Sequence, residues 1–189
     1  MINSTTSQPP RSPAATQPPA SAGPGSHRTW LRLAQPRDLD AINAMIARAI
    51  ECWDLAERVK RVSLPVYAYD RADLDFLQLF VAIDGRNRII GVAALEPADR
   101  GDCAGGHQGL LLHGIYVEPG RHREGVGTRL LEAVFRVARD AGYDGVLARA
   151  QPGATAFFEA NGFEPLRIDD PLRDYSHRYW YRLDGAEAG

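Results

Sequence analysis

Two glycines one residue apart join an apolar strand to a long helix with an apolar stripe. They are Gly125 and Gly127, and the strand before them is the run 109–117 (GLLLHGIYV). Backbone N–H groups at a helix start have no partners within the helix, so they form an anion site together with the positive end of the helix dipole. Side chains at the two glycine positions would keep a pyrophosphate away from this backbone. The pattern predicts a phosphate-bearing cofactor at this helix start.

The charge of the same loop agrees with this interpretation, because Arg121, Arg123 and Arg129 all suit phosphate groups. The two common nucleotide signatures are absent. The chain has no Gly-x-x-x-x-Gly-Lys-Ser/Thr run, and GxGxxG would need glycine where the chain has Leu130. Because glycine turns are frequent, the GxG spacing alone indicates a phosphate site only weakly. A general nucleotide-binding protein is therefore the least favoured interpretation.

A histidine interrupts the apolar strand that leads to the loop. Histidine side chains titrate in the range that suits a general base, so His113 is a candidate for that role. Because alternate residues of a strand share a face, we expect His113 to point the same way as Ile115 and Val117. Glu96, at the end of the preceding strand, is a second candidate. A packed core histidine and a solvated carboxylate at the rim are the respective alternatives.

Hydrophobic periodicity and turn signals predict the elements that position these residues. Strands are predicted at 30–33, 79–83, 88–95, 109–117, 144–150, 163–168 and 178–183. Helices are predicted around 55–62 and 72–77, over 125–141 and over 153–161. A further helix follows Asp38, its predicted N-cap, and carries an apolar face from Leu39 to Ile50. The order of strands and helices predicts a mixed α/β sheet covered by helices.

The composition is that of an ordinary globular domain, with 189 residues, 44% hydrophobic and 24% charged. A net charge of −2 does not favour nucleic acid or an anionic membrane as a partner, and no apolar run is long enough to span a bilayer. The segment 1–27 is rich in Pro and Ser and is predicted to be a disordered tail. It lacks a secretory signal, which predicts a cytoplasmic location. The spacing of Cys52 and Cys103 predicts neither a disulfide nor a metal site.

The chain resembles the GNAT N-acetyltransferase family in two motifs. The first is Val-x-Pro followed by Arg/Gln-x-x-Gly-x-Gly/Ala, and the chain has Val117-Glu118-Pro119 and then 122–127 (HREGVG). The second is Asn/Gln-x-x-Ala-x-x-Phe-Tyr-x-x-x-Gly-Phe, matched by 151–163 (QPGATAFFEANGF). Both motifs occur in the family's order and separation, and the resemblance covers roughly 30–183.

This resemblance implies a GNAT-type mixed central sheet that is splayed in the middle, with acetyl-CoA as co-substrate. The pantetheine arm would lie in the gap against the strand ending at Val117, and the pyrophosphate on the amides from Arg123 to Thr128. The cofactor-binding residues that it implies are Ile115, Tyr116, Val117, His122, Arg123, Glu124, Gly125, Val126, Gly127, Thr128, Gln151 and Phe158.

The chain departs from the family pattern at three positions. His122 replaces the usual Arg or Gln, but that position mainly offers its backbone, so we expect cofactor binding to survive. Leu111 stands where a glutamate base is frequent and cannot replace it. This leaves His113, whose place is similar to that of a histidine in the arylalkylamine acetyltransferases. Phe158 stands where many members have a tyrosine that protonates the leaving thiolate; plain core packing is its alternative role.

Another group must then supply the acid. The resemblance implies that the C-terminal segment borders the acceptor pocket, and Tyr175 is the principal candidate there, beside Tyr179 and His177. Trp53 and Tyr67 belong to the region that would shape the acceptor site.

Together these observations predict an acetyltransferase domain over 28–184, with tails at 1–27 and 185–189. The predicted function is N-acetyl transfer from acetyl-CoA to a primary amine by direct attack. A non-catalytic acyl-CoA-binding regulatory module is the alternative from another class. The expected partner is a small-molecule or peptide amine, and neither nucleic acid nor a membrane is expected. The sequence is compatible with a homodimer but does not decide the oligomeric state.

Overall fold

The computed structural model describes residues 29–169 and 174–183, so the predicted tails lie outside it. Within the described residues, seven strands form one mixed sheet in the order β1-β2-β3-β4-β5-β7-β6. The strands are β1 (Trp30–Leu33), β2 (Gln78–Ile83), β3 (Ile89–Pro97), β4 (Gly109–Val117), β5 (Gly145–Arg149), β6 (Glu164–Pro165) and β7 (Arg178–Arg182). This architecture confirms the predicted mixed sheet with flanking helices.

Helices cover both faces of the sheet. They are α1 (Leu39–Glu51), α2 (Glu57–Tyr67), α3 (Asp73–Phe76), α4 (Val126–Asp140) and α5 (Thr155–Ala160). The apolar stripe of α1 buries Ile42, Met45 and Ile50 on one face, here called the α1 face. Leu130 and Val134 of α4 are buried on the opposite face, here called the α4 face. Among the described helices, none combines the length and apolar character that crossing a bilayer requires.

Asp38 does not have the predicted role at the start of α1. Its side chain makes no cap hydrogen bond to that helix. The carboxylate instead accepts two hydrogen bonds from the Arg32 guanidinium, at 2.6 and 2.9 Å, and a third from the Gln35 amide at 2.8 Å. Asp38 thus holds the predicted N-cap position, but its side chain does not cap the helix because a cation on β1 competes for the carboxylate. The result is a link between β1 and the start of α1.

The predicted strand 163–168 forms over only Glu164–Pro165. Phe163 belongs to the turn after α5, since its amide donates to the Phe158 carbonyl at 3.1 Å and its ring is buried. Pro165 has no N–H with which to continue a ladder. Pairing with β7 is therefore short.

The sheet splits between β4 and β5. The two strands pair in parallel over Gly109–Leu112 and Gly145–Ala148, and the pairing ends there. β4 continues to Val117 along its other neighbour, β3. In the described part of the chain, no strand pairs with the β5-side edge of residues 113–117. The structure thus contains the splayed sheet that the sequence motifs implied.

A bulge in β4 coincides with this split. Ala94 of β3 pairs with Gly114. Its neighbour Leu95 pairs with Leu112, so His113 is an extra residue in the register. Such a bulge changes the alternation of side chains along a strand.

The bulge separates residues that were expected to share a face. Ile115 and Val117 pack against the core of the α4 face. The ring of His113 lies instead on the α1 face, 6.1 Å from the ring of Tyr69. The predicted common orientation of His113 with Ile115 and Val117 was wrong, because strict alternation holds only for an unbulged strand.

Candidate functional site

The loop between β4 and α4 has the backbone geometry of an anion cradle. Gly125 precedes α4 in the left-handed region, with φ 77°, and Arg123 has φ 63°. A Cβ at Gly125 would meet no atom within 4 Å, so the space in front of this backbone is open. Consecutive amides at a helix start, with alternating backbone hand, suit a phosphate.

Gly127 has a different reason to be glycine. A Cβ there would come within 3.0 Å of the Phe157 ring on α5. The absence of a side chain therefore lets α4 pack closely against α5, and the buried Val126 anchors the same turn in the core. Of the two glycines, only Gly125 faces open space in this way.

The three arginines of the loop are in different situations. Arg121 donates to Asp84 and to Glu124, each at 3.1 Å, so its guanidinium is held by two carboxylates. Arg129 donates to the Thr29 carbonyl at 3.3 Å. Arg123 is exposed, and the structure gives it no ion pair within the described residues. Arg123 is thus the cation most available to a phosphate.

His122 contacts the end of β4 through its side chain. Its Nε2 lies 3.3 Å from the Val117 carbonyl oxygen. Because a carbonyl only accepts, Nε2 carries the proton in this contact. The residue that departs from the family pattern therefore secures the junction between the strand and the exposed loop containing Glu124.

A His–carboxylate pair lies on the α1 face beside the split. The Nδ1 of His113 is 2.9 Å from Oε1 of Glu96. Since the carboxylate accepts, Nδ1 is the donor, and the lone pair of Nε2 remains available to take a proton. Both side chains are partly exposed, at 45% for His113 and 34% for Glu96. Two of the three predicted catalytic residues, His113 and Glu96, are therefore brought together.

Aromatic residues form the wall behind this pair. The rings of Trp53 and Tyr67 meet edge to face at 5.3 Å, and Tyr116 stacks against Trp53 at 6.5 Å. Burial raises the pKa of Tyr69 and of Tyr116, so both phenols stay protonated over the working pH range. Tyr116, predicted to bind cofactor, presents its side chain to this wall, so only its backbone faces the split.

Tyr67 is joined across the split to the end of β5. Nε2 of Gln151 donates to the Tyr67 hydroxyl oxygen at 2.9 Å. The hydroxyl oxygen accepts in that bond, which leaves its own hydrogen to be donated elsewhere. Burial, and then the neighbouring Tyr175, raise the pKa of Tyr67. Sequence reasoning placed Tyr67 only in the acceptor region, because its contact with Gln151 joins residues 84 positions apart.

Phe158 belongs to the core. It is 3% exposed and lies edge to face with Phe157 and Phe163, at 5.4 and 5.2 Å. Tyr179 stacks on it, and the Tyr179 hydroxyl donates to Glu159 at 3.1 Å. The packing role of Phe158 accounts for its environment, and Tyr179 is committed to a carboxylate.

The two cysteines are free thiols with different surroundings. Cys52 is exposed, whereas Cys103 is buried and its Sγ lies 3.4 Å from the Asp99 carbonyl oxygen. Burial raises the pKa of Cys103 to about 11. A thiol with this pKa is protonated near neutral pH and is a poor nucleophile.

The sequence and fold comparisons agree with this geometry. A family profile described as the acetyltransferase (GNAT) domain matches residues 75–165. This range contains the bulge, the split, the glycine turn and α4. No curated protein sequence gives a significant match.

Three similar solved structures illustrate the shared fold. An acetyltransferase of the GNAT family from Staphylococcus aureus Mu50 has a TM-score of 0.63 and 16% identity, over 82% of this chain and 99% of that one. The PaiA N-acetyltransferase from Thermoplasma acidophilum, in complex with coenzyme A, has a TM-score of 0.66 and 13% identity over 82% and 99%. A GNAT family acetyltransferase from Brucella melitensis, in complex with acetyl-CoA, has a TM-score of 0.55 and 19% identity over 82% and 97%.

Proposed function

Because residues 75–165 carry an acetyltransferase (GNAT) domain, we propose that this protein transfers the acetyl group of acetyl-CoA to a primary amine. The observation that carries the proposal is the split in the sheet. It leaves one edge of 113–117 without a partner strand in the described residues, directly before an open glycine cradle.

The residues around the split fit two parts of this co-substrate, the pantetheine arm and the pyrophosphate. The unpaired edge at Ile115 and Val117 suits an extended amide-containing arm, which can add to a strand through its own hydrogen bonds. The amides from Arg123 to Thr128, with the Arg123 side chain, suit a pyrophosphate. When bound, the co-substrate supplies an acyl group activated as a thioester.

His113 is the proposed general base. Its Nε2 accepts the proton that the amine loses as it becomes a nucleophile. Glu96 fixes the ring through Nδ1 and stabilises the imidazolium that forms. A base held in one tautomer by a carboxylate is an arrangement that suits amine activation.

A tyrosine hydroxyl is the proposed acid for the departing sulfur. Tyr67 is the stronger candidate, because Gln151 fixes its oxygen while leaving its hydrogen uncommitted. Tyr175, named from the sequence, is 40% exposed and lies close enough to Tyr67 to raise its pKa. Comparison of Tyr67→Phe with Tyr175→Phe separates the two candidates. Only removal of the hydroxyl that donates the proton should lower kcat, and acetyl-CoA binding should be unchanged in both variants.

Direct attack is the proposed route. The buried Cys103 remains protonated and cannot readily take up the acyl group, and within the described residues the exposed Cys52 thiol has no hydrogen bond to a base. The acyl group therefore passes to the amine without an enzyme-bound intermediate.

Calorimetric titration with acetyl-CoA, beside ATP and NAD, combined with a thiol-release assay on a panel of amines tests the proposal. We expect acetyl-CoA alone to bind, and at least one amine to accelerate thiol release. Binding without turnover over the whole panel would favour the regulatory module. If acetyl-CoA does not bind, the proposed function is wrong.

A further inference from the structure

A cavity of about 300 Å³ opens beside the end of β5. It is lined by Asp102, Arg149, Asp174, Tyr175 and Arg178. The volume is at the small end of the range for ligand pockets. No part of the proposed acetyl-transfer chemistry uses its charged residues.

Strand pairing brings one of the residues that line the cavity, Arg149, close to the proposed base. Leu112 and Ala148 are the last paired residues of β4 and β5. His113 and Arg149 come directly after them, so the two side chains flank the point where the sheet opens. Neighbouring strands lie about 4.8 Å apart where they pair, which keeps the two positions close.

Both side chains also lie on the same face. Leu111 and Leu147 pack together in a small core with Cys103, on the side of the sheet where Glu96 lies. Arg149 follows Leu147 by two residues and therefore returns to that side. Its contact with Asp102, which is adjacent to Cys103, agrees with this placement.

The hydrogen-bonding groups of the cavity favour an anion. Both aspartates already accept from arginines: Asp102 from Arg149 at 2.7 Å and Asp174 from Arg178 at 2.9 Å. Arg149 uses only its NH2 group for its one contact that the described residues provide, and its side chain is 46% exposed. A guanidinium has five N–H donors, so most of those of Arg149 face the cavity or solvent.

Arg178 has a buried donor without a partner. Its side chain is 8% exposed, and its Nε has no hydrogen-bond partner in the described structure. A buried N–H without a partner is unfavourable, and an anion or an ordered water is the usual remedy. A second ammonium group on the ligand would instead be repelled by the two arginines. Both carboxylates that could bind it are already paired with those arginines.

We propose that the acceptor is a small amine that also carries a carboxylate, such as a free amino acid, with its carboxylate held by Arg149 and its amine at His113. This inference rests on the proposed acetyl transfer. It makes Arg149 a specificity-determining residue in a cavity that Tyr175 also lines.

Matched substrates test this assignment. Glycine, leucine, phenylalanine and glutamate are each compared with the corresponding α-carboxamide, under identical acetyl-CoA concentrations. A charge-assisted hydrogen bond to a guanidinium predicts that kcat/KM is about tenfold to a hundredfold higher for the best acid than for its amide. Arg149→Gln should bring this ratio towards one, mainly through KM of the acid, and Arg149→Lys should restore part of it.

A charge-matched control is Arg136→Gln, an exposed arginine on α4. It lowers the net charge equally and should keep the ratio. Equal kcat/KM for acid and amide, or a ratio that Arg149→Gln leaves intact, would overturn the assignment while acetyl transfer stands.

Calorimetry on the CoA-saturated protein provides a readout that does not need turnover. The acids should bind more tightly than the amides, and the difference should disappear in Arg149→Gln. If acids and amides bind alike, the inference fails whatever the outcome of the acetyl-CoA titration. Absence of acetyl-CoA binding, in contrast, removes the proposed function.

Discussion

The two faces of the sheet are built differently around the split between β4 and β5. On the α4 face, the loop before α4 offers backbone amides and one open glycine position, Gly125. On the α1 face, side chains from distant segments meet, as in the pairs His113–Glu96 and Gln151–Tyr67. A backbone site depends on local conformation, whereas a side-chain site depends on tertiary placement. The first should tolerate side-chain changes and the second should not.

The largest expected effect comes from removing the proposed base. His113→Ala should lower kcat by about a hundredfold to ten-thousandfold, because the amine proton then has no positioned acceptor. Acetyl-CoA affinity, measured by calorimetry, should stay unchanged. The matched control is His107, which pairs with Asp144 at 3.4 Å near the other end of β4. A similar fall of kcat in His107→Ala would show that the loss is structural.

A methyl group at the glycine cradle should affect the cofactor. Gly125→Ala should weaken acetyl-CoA binding by about tenfold, since the Cβ enters the space in front of the amides and strains a backbone at φ 77°. Gly142, at φ 75° after α4, has a similar left-handed backbone and equally open surroundings. Gly142→Ala should cost a similar free energy of unfolding, about 1 kcal/mol, without affecting acetyl-CoA. Equal binding losses in the two variants would contradict the cradle.

The bulge supplies a third test. A Cβ at Gly114 would come 2.7 Å from the Tyr69 hydroxyl and 2.8 Å from Cε2 of Tyr116. Gly114→Ala should therefore reduce the free energy of unfolding by about 1–3 kcal/mol and lower kcat by displacing His113. Gly153→Ala, where a Cβ meets no atom within 4 Å, should leave stability within about 0.5 kcal/mol. If kcat of Gly114→Ala is unchanged, the geometry of the bulge does not determine the catalytic position of His113.

The smallest effect on activity is expected far from the split. The Arg32 guanidinium holds the pKa of Asp38 below its ordinary value. A lowered carboxylate pKa stabilises the fold above the unfolded pKa, and this contribution disappears as pH falls through the folded pKa. Asp38→Asn should lower the free energy of unfolding by about 1–3 kcal/mol at pH 7 and leave kcat unchanged. Urea unfolding of the unsubstituted protein and of Asp38→Asn at pH 7 and at pH 3 measures this loss. If the difference in free energy of unfolding between the two proteins is as large at pH 3 as at pH 7, this account is contradicted.

The distinction between a backbone site and a side-chain site also explains which features could be predicted from the sequence. The glycine turn, α4 and the strand leading to them follow from local spacing, because backbone sites and amphipathic helices have periodic signatures. His113 was identifiable as a polar residue in an apolar strand. Its orientation was not, because a single extra residue in β4 reverses the alternation of side chains, and no local signal at His113 announces the bulge.

Pairings between side chains of different elements could not be predicted from the sequence for a related reason. Asp38 has the residue type and position of an N-cap, yet Arg32 on β1 takes its carboxylate. Arg149 looks like an ordinary charged strand end until the loop containing Asp102 and the strand containing Arg178 are folded against it. Such roles arise from which segments the sheet brings together, which periodicity does not encode.

Backbone hydrogen exchange with and without acetyl-CoA tests the central claim, that the split in the sheet takes the cofactor's arm. Saturating acetyl-CoA should slow exchange in peptides covering 113–117 and 123–128, whereas ATP and NAD should leave 113–117 unchanged. The segment 89–95 of β3 lies within the sheet and serves as an internal reference. If exchange at 113–117 is the same with and without saturating acetyl-CoA, the arm does not occupy the split and the account is contradicted.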